Sequence, residues 1–382
     1  MIPDFAHLVD VVRARLADAA GARTPASSLT VAAVAEALAE LPVVVPERSW
    51  DELCVRLHDH LVGAGPLGPL LRNPRTTDVL VNGPDDVWAD FGSGLVRTDA
   101  AFDDEAAVRE CARRLAASAG RPLDDAHPWV DAVLPGGQRL HAILPPLAVL
   151  GTAISLRCFG AGGLSLEDLR AAGTFTETGY KYVCGLLEGR RSLLVTGGTG
   201  SGKTTLLRAL IDACEPTQRI VVVEDTSELR PRHPHAVNLQ SRGSGGVQQV
   251  ALAHLVRQAL RMRPDRLVVG EVRGEEVVDL LTALNTGHEG ALATLHANSA
   301  GQVLSRVELL AGRSGLTRSA LHTAVAGGID AVIHVSRHPH RHICEIAVVR
   351  QETGSADIVT AWSAHAPADA YAASQLAELA GL

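Results

Sequence analysis

The residues GGTGSGKTT, 197 to 205, have types and spacing suited to one kind of ligand. Gly197-x4-Gly202-Lys203-Thr204 is the pattern of a phosphate-binding loop, and it falls between an apolar stretch at 192–196 and a helical pattern over 203–213. Glycines 197, 198, 200 and 202 let the backbone turn its N–H groups inward around phosphate oxygens, and the start of the helix adds positive partial charge. Gly198, Thr199, Gly200, Ser201, Gly202, Lys203, Thr204 and Thr205 are therefore expected to bind ATP. Lys203 would reach the β- and γ-phosphates, and the Thr204 hydroxyl would ligate Mg²⁺. A glycine-rich turn that merely starts a helix is the plain alternative, against which strand, lysine and threonine all stand in place.

A phosphate loop alone does not hydrolyse anything, since a group must orient water and another must help hold the metal. Glu224, Asp225 and Glu228 follow the apolar run 221–223, Glu271 and Arg273 follow 268–270, and His296 follows 293–295. In an open parallel sheet, ligands bind beyond the carboxyl ends of the strands, so these groups should line the edge that carries the loop. Glu228 is expected to accept a hydrogen bond from the attacking water and Glu271 to position Mg²⁺. For Glu224 and Asp225 a solvated turn or helix cap remains open. His288 and His296 could report loss of the γ-phosphate or be structurally hydrogen-bonded, and their spacing is poor for a helix-borne zinc pair. The stretch HVSRHPHRH, 334 to 342, is read as an exposed hairpin loop rather than a metal site.

The elements that must position these groups can be read from periodicity. Four apolar runs, at 193–195, 220–223, 267–269 and 291–295, alternate with helical segments, which predicts a largely parallel sheet covered on both faces. Helices are expected over 303–311 and 316–326, then a hairpin from 329–335 and 342–349. Upstream, 50–160 mixes helix (50–62, 104–118) with short strands (78–81, 86–91, 139–144) and reads as an α+β domain. Residues 1–48 read as a helical N-terminal extension, broken at Thr24–Ser28 and Pro42–Pro46. Gly160–Ser165 reads as a linker before a helix that Ser165 could cap, and 356–382 as a loosely ordered C-terminal tail.

The chain has 382 residues, room for two domains and an extension. Its formal net charge of −8, pI near 6.0 and 3% aromatic content disfavour a surface that wraps or stacks nucleic acid. Cys54, Cys111, Cys158, Cys184, Cys214 and Cys344 are dispersed, with no CxxC pair, and are expected to be reduced. With no apolar run of about 18 residues, a cytoplasmic protein that meets a membrane through partners is expected.

EDTSEL (224–229), RMRPDRLVVGEVRGEE (261–276) and NTGHEGALATLHANS (285–299), with the loop, resemble the secretion ATPases of type II and type IV systems and type IV pili. Within that superfamily the chain resembles the CpaF/TadA branch, the tight-adherence (Flp) pilus ATPases. GPLGPLLRNPRTTDVLVNGPDDVW (65–88), VDAVLPGGQRLHAILPP (130–146) and ISLRCF (154–159) are similar to that branch's N-terminal domain, so the resemblance spans about 50–350. It implies an α/β fold: a RecA-like P-loop ATPase domain with a parallel sheet (165–355), preceded by the α+β domain and the helical extension. It also implies Glu228 as base, Glu271 in the second nucleotide motif and His296 in the family's His box. Arg139 and Arg157 stand where family members bring N-terminal-domain arginines over the nucleotide, although a surface or structural ion pair remains open for each. The paired CxxC zinc module of the type II branch is absent.

The resemblance further implies a homo-hexamer, peripheral to the inner face of the cell membrane. It would couple ATP hydrolysis to an inner-membrane platform protein for pilus assembly or protein secretion, with no direct nucleic acid. A nucleic-acid-dependent, helicase-like motor and a non-hydrolysing scaffold are the rivals.

Overall fold

The computed structural model describes residues 5–20, 30–41, 47–61, 63–158, 163–241, 250–352 and 355–382. They fall into two compact units, 1–162 and 163–382. The expected breaks at 24–28 and 42–46, and the first half of the linker at 160–165, lie outside the described residues.

In the first unit, α1 (Phe5–Ala20), α2 (Val31–Ala39) and α3 (Glu47–Leu61) share one small core of Leu8, Val12, Leu16, Val34, Leu38, Cys54 and Leu57. Thr30 caps α2 by accepting the Ala33 N–H at 3.2 Å. The helical extension expected over 1–48 therefore does not stand alone. Two short amphipathic helices cannot enclose Val34 and Leu38, both fully buried, and α3, expected to open the α+β domain, supplies the third wall.

After α4 (Gly68–Arg72) come β1 (Asp78–Gly83), β2 (Asp86–Asp90), β3 (Leu95–Arg97), α5 (Glu105–Ser118), β4 (Trp129–Val133), β5 (Arg139–Ile143) and β6 (Ala153–Arg157). The strands form an antiparallel sheet in the order β3-β2-β1-β6-β5-β4. Their period-two alternation places Val79, Val81, Leu140, Ala142, Ile154 and Leu156 in one core with Val108, Cys111, Ala112 and Leu115 of α5. The opposite face mixes charged residues with Leu80, Trp88, Trp129 and Ile143. There the register sets Arg139 directly across from Arg157, and Arg157 across from Asp78.

The second unit opens with α6 (Leu166–Ala171), which carries the expected Ser165 cap as a full capping box with Asp168. Then come α7 (Glu177–Glu188), β7 (Leu193–Thr196), α8 (Lys203–Asp212), β8 (Ile220–Glu224), β9 (Ala236–Gln240), α9 (Leu252–Ala259), β10 (Arg266–Val272) and α10 (Glu276–Leu284). The chain continues through β11 (Leu292–Leu295), α11 (Val303–Ala311), α12 (Arg318–Gly328), β12 (Ala331–Ser336), β13 (His342–Glu352), β14 (Ser355–Ser363) and α13 (Ala370–Ala380). The sheet order is β14-β13-β12-β7-β11-β10-β8-β9, with β12 to β9 parallel and β13 and β14 antiparallel. Because both faces are covered, β7, β8 and β11 are buried at every residue. Leu206, Leu207 and Leu210 of α8 share one core with Val183 and Leu186 of α7, while Val256, Leu280, Val307 and Val325 of α9 to α12 share the other.

The loose tail expected at 356–382 is instead the edge strand β14 and the helix α13. Ala361, Ala372, Leu376 and Ala380 belong to the same core as α7 and α8. Small residues hide this element in the sequence. They let α13 lie so close to α7 that a Cβ on Gly185 would meet Ala380 O at 2.2 Å.

Candidate active site

The carboxyl end of β7 runs straight into the phosphate loop. Gly197, Gly200 and Gly202 have φ of +151°, +70° and +104°, a region in which side chains are strained. A Cβ on Gly197 would also lie 2.4 Å from Val335 O, so this position tolerates only glycine. Gly202 is the N-cap of α8 and offers no side-chain cap, which leaves the first N–H groups of the helix for an anion. Ser201 Oγ is buried there with no hydrogen-bond partner among the described residues. Lys203 is buried and its Nζ donates to Gly197 O at 2.9 Å and Gly198 O at 2.8 Å. Thr204 sits half-buried on the first turn of α8, beside Lys203.

Parallel pairing then delivers the other strand ends to the same edge. His296, just past β11, places Nε2 3.4 Å from Lys203 Nζ and 3.5 Å from Glu271 Oε1. The Arg273 guanidinium donates to the other Glu271 oxygen. Burial pushes the Glu271 carboxyl up, but this hydrogen bond and the charges of Arg273, His296 and Lys203 outweigh it and leave the group below the usual carboxylate range. His296 is held below its ordinary value by burial and then by Lys203, so it is neutral at pH 7. The Arg273 charge is in turn reinforced by Glu271, Asp225 and Glu228, which ties the end of β8 to the end of β10. Thr294 Oγ1 donates to Gly270 O at 2.6 Å and fixes β11 against that end.

Glu228 meets this cluster through the charge of Arg273. It rides on a turn after β8 whose backbone is held by Glu224, through the N–H groups of Glu228 and Leu229. The solvated turn that the sequence leaves open for Glu224 is not what the fold builds: the residue is 4% exposed and holds the turn from within. Arg273 is legible as a strand-end residue, but its hydrogen bond to Glu271, two positions away, is not. His288 lies outside the cluster, half-buried, with no partner for Nδ1 among the described residues.

Arg139 and Arg157 are brought together with each other in the first unit, as cross-strand neighbours on the sheet face opposite its core. Like charges set directly opposite are unfavourable unless something uses them. Asp78, across from Arg157, supplies one opposite charge.

Residues 60–360 match the model of the family described as Type II/IV secretion system protein. The chain belongs to the type II/IV secretion system protein family. Membership and the phosphate-loop site together make it an ATPase. Among its relatives, a protein of Mycobacterium tuberculosis named "Putative conjugal transfer protein" is 52% identical over 318 residues, 81% of this chain and 90% of that protein. The conjugal transfer protein TrbB of Rhizobium radiobacter is 30% identical over 292 residues, 75% of this chain and 83% of its own. In fold, this secretion ATPase is similar to the crystal structure of the pilus retraction motor PilT with bound ADP. That likeness has a TM-score of 0.53 at 20% identity and covers 81% of this chain and 84% of the other.

Proposed function

We propose that this secretion ATPase is a Mg²⁺-dependent hexameric motor of the CpaF/TadA branch, which turns ATP and water into ADP and phosphate to drive pilus assembly or protein export. The observation that carries the reading is the meeting of three strand ends at Lys203, His296 and Glu271. In this reading the loop N–H groups and Lys203 hold the phosphate chain, and the Glu228 carboxylate accepts a hydrogen bond from the attacking water. Neutral His296, between Lys203 and Glu271, links the γ-phosphate side of the loop to the end of β10. Thr204 and the charged Glu271 are oxygen donors of the kind Mg²⁺ takes, and the ion would neutralise phosphate charge. Arg139 and Arg157, on the other unit, would stabilise transition-state charge.

Among the described residues no helix is long and apolar enough to cross a membrane. The driven machinery would be an inner-membrane platform protein, met from the cytoplasmic side. Relatives named for conjugal transfer support an export machine, and they also keep a nucleic-acid-dependent motor as the second reading. The formal charge of −8 weighs against that second reading.

The test is Mg²⁺-dependent phosphate release across size-separated fractions, with and without DNA. Turnover confined to a fraction of about six subunits and indifferent to DNA supports the motor. Strong stimulation by DNA would replace it with the second reading.

A further inference from the structure

β12 runs parallel to β7 and pairs His334 with Thr196, so its end leaves the sheet beside the start of the phosphate loop. The Thr196 hydroxyl and His334 Nδ1, 2.9 Å apart, join the two strand ends below the surface. Three loop glycines then face the end of β12 and the turn beyond it. A Cβ on Gly197 would meet Val335 O, one on Gly200 would lie 3.4 Å from a guanidinium nitrogen of Arg337, and one on Gly202 would lie 3.7 Å from Arg341 Cδ. Arg341 closes the contact by donating from Nε to Gly200 O at 3.2 Å. Of HVSRHPHRH, expected as an exposed hairpin loop, His334 lies on β12 and His342 on β13, both buried; the exposed turn is 337–341, and it lies against the phosphate loop.

Two arginines at an anion-binding loop are a specific arrangement. Arg337 is exposed and forms no ion pair among the described residues. A guanidinium is a planar fork of five N–H donors that matches phosphate oxygens. The loop's own N–H groups and Lys203 approach a phosphate chain from within, whereas Arg337 and Arg341 stand outside the same loop. They also come from the strand on the side of β7 opposite β11, which carries His296.

We propose that this turn is a clasp for the phosphate chain of a nucleoside di- or triphosphate. Arg337 donates to phosphate oxygens, and Arg341 is a positioning residue that holds the loop open through Gly200 O. The inference deepens, and rests on, the reading of 197–205 as the nucleotide site.

The experiment compares binding of a fluorescent ADP analogue, its competition by ADP and by adenosine, and ATP hydrolysis. The proteins are wild type, Arg337→Ala, Arg337→Lys, Arg341→Ala, Arg341→Lys and Lys203→Ala. Losing a charge-assisted bond to phosphate should weaken ADP roughly tenfold or more in Arg337→Ala, with partial recovery in Arg337→Lys. Adenosine competition should not change, and the salt dependence of ADP binding should become shallower. For Arg341→Ala the loss should fall on KM more than on kcat, with partial recovery by lysine. The melting midpoint without nucleotide should match wild type in the Arg337 and Arg341 variants, since both side chains are exposed. If both alanine variants keep ADP affinity within about twofold of wild type while Lys203→Ala has lost it, the clasp is overturned and the nucleotide site stands. If Lys203→Ala itself binds like wild type, the reading of the site falls first.

Discussion

The backbone N–H of Glu228 donates to Oε1 of Glu224 at 3.1 Å, so the carboxylate proposed to orient water is carried on a turn that a second, buried carboxyl holds. Leu229 donates to the same oxygen at 3.0 Å. Gly270 on β10 makes the room, because a Cβ there would lie 2.7 Å from Glu224 Cγ.

Glu224→Ala removes the acceptor of two backbone donors, one on the fully buried Leu229, at a cost of about 1–3 kcal/mol. ATP turnover should fall at least tenfold while ADP binding, which uses the other side of the cluster, stays near wild type. Glu224→Gln keeps the acceptor and should retain most activity. Steady-state ATPase rates beside ADP titrations decide it; equal turnover in Glu224→Ala and wild type would separate Glu224 from the function of Glu228.

Burial pushes the Glu224 carboxyl up to about 7, against the two N–H donors that favour its charged form. With the folded value above the unfolded one, the native protein keeps this proton where the unfolded chain has released it. Stability therefore falls as pH rises from about 4.5 to about 7, by roughly 3 kcal/mol at the upper end. Glu224→Gln lacks this proton linkage. Denaturation midpoints at pH 5 and pH 8 should show wild type losing more than Glu224→Gln over that interval, and parallel pH profiles would contradict the assignment.

The strand ends could be read from sequence because each is a short apolar run closed by a polar residue, and parallel pairing sends all such ends to one edge. Lys203, Glu271 and His296 meet for that reason. The grip of Glu224 could not be read, because it depends on a glycine on a neighbouring strand 46 positions away, and spacing carries no trace of such a contact. β14 and α13 were hidden by alanine, which fills tight contacts without marking a hydrophobic face. Arg337 and Arg341 fall in the stretch read as an exposed hairpin loop, and the contact with Gly200 cannot be read there because it lies across a parallel strand pair.

α13 closes one core of the ATPase unit through Leu376, which is fully buried. Leu376→Ala should cost about 2–5 kcal/mol, and Gly185→Ala should also destabilise because the added methyl meets backbone at Ala380 O. Urea denaturation followed by circular dichroism checks both. A midpoint unchanged in either protein would return residues 370–380 to the loose tail.

Arg139 and Arg157 face each other across β5 and β6, and their proposed role is at the transition state rather than on the bound nucleotide. Arg157→Ala should lower kcat by more than tenfold with ADP affinity largely kept. Binding and turnover lost in equal measure would mark Arg157 as a ground-state contact.

If nucleotide held at 197–205 is hydrolysed there, removing the Lys203 ammonium must stop the reaction. Mg²⁺-dependent phosphate release by wild type beside Lys203→Ala tests this without intermediaries. Steady release by the assembled wild type is expected, with none above background in Lys203→Ala and ADP binding lost as well. Equal release by the two proteins would contradict it and place the hydrolysis elsewhere.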